Sequence, residues 1–512
     1  MSCARATDRW QRQRDFYRFP VERALVERLR PAARLMNLWN CYRVIRMDIL
    51  LAHGYYLYED PHELKVMKPY PPLGILYISS HLKAKGFDVG VFDSTFRSLA
   101  EFEHILEAER PPVVGLYCNL MTKMNVLKMI QMCKRIGATV ILGGPEPPYY
   151  AENFIAHGAD IVVTGEGEIT LEELLPHLAR YGLTGLEHIL GISYRNADGQ
   201  VVTNLARPYI KDLDAQPFPD RAAINIQEYL DTWKRHHGMG SVSLICARGC
   251  PYHCTWCSHS VFGETHRRRS VTNVADEVQM IVETYHPDML WYADDVFTIH
   301  HRWFFAYVEE MKRRGLRIPF ECISRADRLN EEVIRGLAEL GCFRLWIGSE
   351  SGSQRVLDAM RREVTVEEVQ FATKTAQKYG IEVGMFIMLG YEGEEIEDIA
   401  ATVEHLKRTG PDIFLTTVAY PIKGTPYYRE VEARLIERLP WESRTERDLS
   451  VRGRRSRRFY SFATRWMVGE VAVHRMVHNG NGGRDYPRLA KAFVNAQVGR
   501  LGMWLYRNEV DL

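Results

Sequence analysis

Short apolar runs alternate with amphipathic stretches along most of this 512-residue chain. Within residues 43–184, five apolar runs are separated by segments of helical periodicity, a pattern typical of a parallel sheet covered by helices on both faces. The pattern predicts an α/β, doubly wound (Rossmann-like) domain whose ligand crevice lies at the carboxyl ends of its strands.

The alternation resumes at residues 241–430 with six predicted strands. A linker at 185–240 precedes it and holds a predicted hairpin around Asp198-Gly199. Six strand–helix units fall short of a full eightfold barrel, which takes roughly 250 residues. We therefore predict a partial, TIM-like (β/α)6 barrel. Residues 431–512 show helical periodicity and no strand pattern, and are interpreted as a helical cap, whereas residues 1–42 are interpreted as an N-terminal helical extension.

Composition narrows the classes of function. A net charge of +1 gives no global signal for nucleic acid or acidic lipid. No apolar run reaches the roughly 18–20 residues that span a bilayer, and the N-terminus has no apolar signal core, so we expect a cytoplasmic protein. Ten cysteines are too sparse for a disulfide scaffold. The clustering of several of them indicates metal chemistry in a reducing compartment.

Three cysteines lie close together at positions 250, 254 and 257, directly after the first predicted barrel strand. The spacing Cys-x3-Cys-x2-Cys would leave one iron of a [4Fe–4S] cluster without a protein ligand, and an open iron can hold a small chelating molecule. The alternative is a structural zinc site, because Cys246 could supply a fourth thiolate. Spacing alone favours the cluster.

The motifs that follow make the chain resemble the cobalamin-binding radical SAM enzymes. The family's motif Cys-x3-Cys-x-aromatic-Cys is matched by Cys250, Cys254, Trp256 and Cys257. The resemblance implies that the three sulfurs bind the cluster and that S-adenosylmethionine chelates the open iron beside Trp256. One-electron reduction would then give a 5′-deoxyadenosyl radical. In this interpretation Cys246 is a buried free thiol.

The resemblance also implies S-adenosylmethionine contacts at the ends of later barrel strands. Asp294 and Asp295 would accept hydrogen bonds from the methionine amine, with a helix N-cap as the alternative. Arg325 would clamp the methionine carboxylate, with a surface salt bridge as the alternative. Glu350, in Gly-Ser-Glu-Ser-Gly, resembles the carboxylate that binds the ribose hydroxyls. Ile387 lies in the segment that resembles the adenine contact, for which an ordinary buried strand is the alternative.

The N-terminal domain resembles the cobalamin-binding module of this family, with a generic flavodoxin-like domain as the alternative. Gly143 and Gly144 match the glycine pair against which the nucleotide tail lies. The other implied cobalamin-binding residues are Asn119, Met121, Thr122 and Gly165. The cobalt-ligating motif Asp-x-His-x-x-Gly is absent, so we predict no histidine on cobalt; His53 is the only imidazole nearby in the sequence.

Three functions remain open at this point. The leading one is methylation of an unactivated carbon or a phosphinate phosphorus in a small-molecule or lipidic substrate, with cobalamin as methyl carrier. Its cofactors would be a [4Fe–4S] cluster, S-adenosylmethionine and cobalamin, and its partner an external electron donor of flavodoxin or ferredoxin type. The second is an oxidation or rearrangement like that of the anaerobic magnesium-protoporphyrin IX monomethyl ester cyclase. The third is a non-catalytic cobalamin or redox sensor, or a zinc-stabilised scaffold. We expect no nucleic-acid partner, and the sequence does not identify the substrate.

Overall fold

In the computed structural model, which describes residues 47–478 and 486–512, the first part of the chain builds a seven-stranded sheet. Its order is β2-β1-β3-β4-β5-β6-β7, and the first five strands are parallel. The five predicted strands are therefore present. The predicted 1–42 extension lies outside the described residues. The strands are β1 (Ile49–His53), β2 (Val89–Phe92), β3 (Val113–Tyr117), β4 (Thr139–Gly143), β5 (Ile161–Val163), β6 (Ile192–Arg195) and β7 (Val201–Thr203).

The predicted hairpin is present as β6 and β7, but it is part of the first sheet. Strand β6 pairs antiparallel with β5, and β7 pairs antiparallel with β6. The predicted linker therefore divides into a sheet extension and a connection that leads to the barrel. The helices of this part are α1 (Glu63–Val66), α2 (Leu73–Ala84), α3 (Leu99–Glu109), α4 (Lys123–Arg135), α5 (Ala151–Ala156), α6 (Glu168–Tyr181) and α7 (Ile226–His237).

Six parallel strands then form an open barrel in the order β15-β14-β13-β12-β11-β8, as the strand count predicts. Strands β9 and β10 form a separate short ribbon. The strands are β8 (Ser241–Leu244), β9 (Ala247–Arg248), β10 (Arg267–Arg268), β11 (Met289–Tyr292), β12 (Phe320–Ser324), β13 (Cys342–Glu350), β14 (Glu382–Leu389) and β15 (Ile413–Val418). The helices are α8 (Val271–Tyr285), α9 (His301–Arg313), α10 (Glu331–Leu340), α11 (Gln354–Ala359), α12 (Val366–Lys378), α13 (Ile396–Thr409) and α14 (Pro426–Val431).

Capping side chains fix where the barrel helices begin. The side chains of Ser270, Asn330 and Thr365 each accept a hydrogen bond from the backbone N–H three residues later, which satisfies a donor that the helix leaves unpaired. Gly341 ends α10 at a φ of +104°, and a Cβ there would lie 2.9 Å from the carbonyl oxygen of Ile318. These short, fixed connections keep the carboxyl ends of the strands at one edge of the barrel.

The C-terminal segment is mainly helical, in agreement with the predicted cap, with α15 (Arg457–His478) and α16 (Tyr486–Tyr506). It also contains a two-stranded ladder, β16 (Leu435–Ile436) and β17 (Ser450–Val451), which the sequence pattern does not predict because two-residue strands leave no periodicity. Between these strands, Trp441 inserts into the core of the first domain.

Candidate cofactor site at the facing strand ends

The three clustered cysteines lie on a loop that the β9–β10 ribbon closes at its base. Antiparallel pairing joins Arg248 to Arg267. Gly249 opens the loop at a φ of +86°, and a Cβ there would lie 2.3 Å from the carbonyl oxygen of Thr265. Further along, the backbone N–H of Thr255 donates to the Met360 carbonyl oxygen at 3.1 Å. The loop is therefore held at its base and at its middle.

The donor set of this loop fits an iron–sulfur cluster. Cys250 is half-buried, Cys254 is buried and Cys257 is exposed, and all three are free thiols. Burial and, to a smaller extent, the charge of Asp295 together raise the pKa of Cys257 to about 12. Iron–sulfur clusters are bound by thiolates, so this thiol must lose its proton to act as a ligand. The positive charge of bound iron would favour that deprotonation.

The zinc alternative needs Cys246 beside these thiols. Instead Cys246 is fully buried in the core cluster of the barrel, among the side chains that pack between strands and helices. Within the described ranges, no group of three His, Cys, Asp or Glu side chains is arranged around one metal-ion position. In a cube each thiolate binds a different iron, so the sulfurs need not converge on one point. The arrangement therefore suits the cluster better than a four-thiolate zinc site.

Two buried arginines contact the sulfur of Cys254. Arg325 and Arg362 each donate from Nη1 to Cys254 Sγ at 3.7 Å. The guanidinium of Arg325 also lies 3.6 Å from the ring centroid of Tyr252, and its Nη2 donates to the Arg362 carbonyl oxygen at 2.7 Å. Arg325 Nε also donates to Asp327 Oδ1 at 2.8 Å, so the alternative salt bridge is present, but Arg325 is only 2% exposed and the pair is not at the surface. Its predicted contact with the methionine carboxylate stays a prediction.

Arg362 is a site residue that sequence reasoning missed. It lies in the connection between α11 and α12, outside every motif. The residues on either side, Arg361 and Glu363, have φ values of +49° and +52°, an uncommon conformation for non-glycine residues that is concentrated at functional sites. A backbone conformation of this kind leaves no signal in a single sequence.

The two adjacent aspartates at the end of β11 have different surroundings. Asp294 is buried, and its Oδ1 accepts hydrogen bonds from the backbone N–H groups of Cys246 and Ala247 at 2.6 and 3.3 Å. Its Oδ2 accepts from Arg268 at 3.0 Å. Asp295 is exposed, and its charge acts on the thiols of the loop. Asp294 therefore fixes the ribbon, whereas the carboxylate of Asp295 is exposed; the predicted contact of either residue with the methionine amine stays a prediction.

Glu350 has the backbone strain expected of a binding residue. Its φ is +57°, and the β13–β14 register shifts between Gly348 and Glu350. Its Oε1 lies 3.9 Å from Arg362 Nε, and burial raises the pKa of the carboxyl while this arginine lowers it. A Cβ at Gly348 would lie 2.4 Å from Arg362 Nη2. The first glycine of the motif thus makes room for the arginine that pairs with the glutamate.

The two apolar residues of the predicted S-adenosylmethionine site differ in packing. Ile387 is 1% exposed and belongs to the core layer between strands and helices. Its neighbour Phe386 is on the opposite face of β14 and stacks on Trp346 with ring centroids 5.1 Å apart. Trp256 is partly buried, with Arg362 6.0 Å from its ring centroid. The side chain of Ile387 packs like that of an ordinary buried strand residue. Its contact with adenine stays a prediction.

The predicted cobalamin residues meet at the carboxyl ends of β3 and β4. Gly144 has a φ of +109°, and a Cβ there would lie 2.3 Å from the Cys118 carbonyl oxygen, whereas a Cβ at Gly143 meets nothing within 4 Å. Gly144 is thus packed against the preceding loop, whereas the space beside Gly143 is open. Such a pair lets a ligand approach the backbone closely. Asn119 Oδ1 accepts from the backbone N–H groups of Met121 and Thr122 at 3.0 and 3.1 Å.

These contacts divide the predicted residues by role. The side chain of Thr122 accepts from the Asn119 backbone N–H at 2.9 Å, so the polar groups of both residues shape the turn before α4. Met121 is 41% exposed and is the member of this group whose side chain is open to a ligand.

A Gly144→Ala substitution is expected to release bound corrinoid and to lower stability. The methyl group would clash with the Cys118 carbonyl and force a left-handed alanine. Corrinoid retained after gel filtration, read from its visible absorbance, measures the effect. Gly137→Ala is the matched control, since Gly137 has a φ of +80° in the same domain with nothing within 4 Å of its Cβ. Equal retention by both variants would contradict the prediction.

Hydrogen bonds occupy both ring nitrogens of His53. Its Nε2 lies 2.9 Å from Asp93 Oδ1, and its Nδ1 accepts from the Tyr55 backbone N–H at 3.2 Å. Asp93 is in turn held by the Tyr229 hydroxyl at 2.9 Å. His53 is 3% exposed and is used structurally; the absence of a histidine ligand on cobalt stays a prediction.

Buried ion pairs join the first domain to the base of the cysteine loop. Arg248 donates to Glu166 at 2.6 Å and to Glu168 at 2.7 Å, and Arg267 donates to the second oxygen of Glu166 at 2.8 Å. We call these four residues the clamp. A Cβ at the neighbouring Gly165 would lie 3.7 Å from the carbonyl oxygen of Val261, within the cysteine loop. The end of β5 therefore touches the loop itself.

A second contact joins the two domains at the end of β15. A Cβ at Gly424, whose φ is +91°, would lie 2.1 Å from Cε1 of Tyr149. Tyr149 follows β4, close to the glycine pair. The carboxyl ends of the first sheet therefore face those of the barrel on both sides of the site.

Comparison with known proteins agrees with this arrangement. The sequence profile of the Radical SAM superfamily matches residues 244–406, and that of the B12 binding domain matches residues 64–175. An uncharacterised methyltransferase of Pyrococcus horikoshii is 29% identical over 74% of this chain and 82% of its own length. The anaerobic magnesium-protoporphyrin IX monomethyl ester cyclase of Rubrivivax gelatinosus is 27% identical over 67% of this chain and 63% of its own length.

Solved structures show the same fold. The radical S-adenosylmethionine methyltransferase TsrM of Kitasatospora setae aligns with a TM-score of 0.64 at 20% identity, over 75% of this chain and 76% of its own. The two profiles together identify a [4Fe–4S] cluster, S-adenosylmethionine and cobalamin as the cofactors. An enzyme is thereby favoured over a sensor or a zinc scaffold. With the cysteine loop and the glycine pair at facing strand ends, the chain belongs to the cobalamin-binding radical SAM enzymes.

Proposed function

We propose that the protein methylates an unactivated carbon or a phosphinate phosphorus of a small-molecule or lipidic substrate. The observation that carries the proposal is the direct contact between the two domains at their strand ends, where Arg248 pairs with Glu166 and Glu168 and Tyr149 packs against Gly424. A hydrogen-abstracting centre and a methyl donor must act on one substrate atom in turn, so their sites have to border the same cavity. The similarity to an uncharacterised methyltransferase is consistent with this.

The residues of the chain have separable tasks in this reaction. When bound, the cluster with S-adenosylmethionine supplies a 5′-deoxyadenosyl radical and the corrinoid supplies the methyl group. We assign the cluster to Cys250, Cys254 and Cys257, with Arg325 and Arg362 donating to one sulfur, a contact that tunes cluster potential. Asp295 would accept from the methionine amine and Glu350 from the ribose hydroxyls.

The facing strand ends would also limit the access of water to a bound substrate. The side chain of Tyr149 packs against Gly424 on one side and Arg248 pairs with Glu166 and Glu168 on the other, so a substrate between the domains would be bordered on two sides. Exclusion of solvent matters because a carbon radical must be quenched by the methyl donor and by nothing else. An external electron donor of flavodoxin or ferredoxin type would supply the reducing equivalent, and we place the reaction in the cytoplasm.

Labelled S-adenosylmethionine tests the proposal. Turnover with a deuterated methyl group is expected to give a labelled product, together with both 5′-deoxyadenosine and S-adenosylhomocysteine, by mass spectrometry. The cyclase-type alternative, favoured by the similarity to the Rubrivivax enzyme, predicts 5′-deoxyadenosine with an unlabelled product and no S-adenosylhomocysteine. That second result would reject methyl transfer.

A further inference from the structure

The outer face of α16 carries a stripe of large apolar side chains that no other part of the described chain covers. Phe493, Val494, Leu501, Trp504 and Leu505 are between 54 and 60% exposed. Their spacing places them on one side of the helix. The opposite side packs on α15 through small residues. We call the exposed set the α16 stripe.

The helix that bears the stripe is rigidly held. A Cβ at Gly499 would lie 2.4 Å from the backbone nitrogen of Trp466, and a Cβ at Gly469 would lie 2.5 Å from that of Ala496. Helix α15 in turn packs against α13 of the barrel. The stripe is therefore a preformed surface on α16, which packs closely on α15. Its exposure does not come from a loosely attached segment.

Positively charged side chains border the stripe. The described residues of α15 and α16 include seven Arg or Lys and one Glu, in a chain whose net charge is only +1. Lys491 and Arg500 are exposed and have no hydrogen-bond or ion-pair partner among the residues that the structure describes. By helical spacing they lie on the two borders of the stripe. The guanidinium of Arg507 lies 4.8 Å from the ring centroid of Trp504.

We propose that the α16 stripe docks the enzyme on the surface of an anionic lipid bilayer. An apolar face with aromatic and leucine side chains, bordered by unpaired cations, is the surface that lies in the headgroup region. Tryptophan beside an arginine suits the boundary between acyl chains and water. A second copy of the chain fits less well, because pairing of two stripes would bring like charges together. In the described residues no helix is long and apolar enough to cross a bilayer, so the contact is peripheral.

Vesicle flotation with the cofactor-loaded protein tests the proposal. The protein is expected to float with vesicles of three parts phosphatidylcholine to one part phosphatidylglycerol, and to float less with phosphatidylcholine alone. The double variant Trp504→Gln/Leu505→Gln should reduce the floating fraction about tenfold, since it removes two apolar anchors. The variant Lys491→Glu/Arg500→Glu should abolish the preference for phosphatidylglycerol.

Two matched controls separate the stripe from general effects. Leu205→Gln changes an apolar side chain that is 80% exposed and lies outside α15 and α16. Lys211→Glu changes an exposed lysine that also lies outside these helices. Both variant proteins should float as the parent does. The proposal is overturned if the parent does not float, or if all variants float equally. It is also overturned if light scattering shows a dimer that the Trp504→Gln/Leu505→Gln variant dissociates. Flotation needs no turnover, so its outcome is independent of methyl transfer.

Discussion

A Cys254→Ala variant is expected to contain no [4Fe–4S] cluster and to form no detectable 5′-deoxyadenosine. Cys254 is the most deeply buried of the three loop cysteines, and it accepts hydrogen bonds from Arg325 and Arg362. Its removal takes one ligand from the cluster and leaves two buried guanidinium groups without the thiolate between them. Anaerobic reconstitution followed by visible absorbance, electron paramagnetic resonance and product analysis measures both losses.

Cys246→Ala is the matched control for this substitution. It removes another buried thiol near the loop, but one that packs in the barrel core. This variant should reconstitute a normal cluster and cleave S-adenosylmethionine, at a modest cost in stability of about 1 kcal/mol. Corrinoid binding should persist in both variants, because the glycine pair lies in the other domain. Loss of the cluster in Cys246→Ala would support the alternative in which Cys246 is a fourth thiolate ligand. Loss of corrinoid in Cys254→Ala would show that the two cofactors do not bind independently.

An Arg248→Ala variant is expected to be the most destabilising change at the domain junction. Arg248 neutralises Glu166 and Glu168 in buried surroundings, and its removal leaves both carboxylates with Arg267 as the remaining cation of the clamp. Breaking a buried ion pair from one side costs about 3–5 kcal/mol. The urea midpoint of the reconstituted protein should fall accordingly, and the ratio of 5′-deoxyadenosine to methylated product should rise as the domains lose their fixed spacing.

An exposed ion pair provides the comparison. Arg313 donates to Glu310 on the surface of α9, with the arginine side chain 68% exposed, and Arg313→Ala should leave the urea midpoint nearly unchanged because exposed ion pairs stabilise little. Arg248→Lys keeps a charge but cannot reach both glutamates in the same way, so it should give an intermediate product ratio. If Arg248→Ala behaved like Arg313→Ala, the clamp would have no role in holding the domains together.

The sequence predicts the parallel strands of both sheets because most of them are apolar runs that end in a polar or glycine-rich segment, whereas the two-residue strands leave no such pattern. The motif residues Gly144 and Glu350 were identified in this way, and the structure gives each a positive φ. The cysteine loop was likewise found at the correct strand end. These features depend on local pattern, which a single chain displays directly.

The sequence does not show which segments that are far apart along the chain contact each other. The sequence analysis singles out Gly165 but not Glu166 or Glu168, since nothing in the sequence pairs the two glutamates with Arg248, 80 residues away from Glu168. Arg362 was missed for the same reason. The sequence analysis gives Asp294 and Asp295 the same role. Side chains alternate between two faces along a strand, but this rule no longer applies after the strand ends. Only the fold shows that Asp294 is buried and Asp295 is exposed.

The insertion of Trp441 has a consequence for the order in which the protein is made. This side chain packs on Phe154 with ring centroids 4.8 Å apart, and its carbonyl oxygen accepts from the buried Lys123 at 2.9 Å. A ribosome releases the cobalamin-binding domain first, and domains often fold as they emerge. Here that first domain lacks part of its core until the polypeptide beyond the barrel has been synthesised. Completion of the corrinoid site is therefore expected only after the segment that carries Trp441 has emerged, and a nascent chain stalled after residue 430 should bind corrinoid more weakly than the released protein.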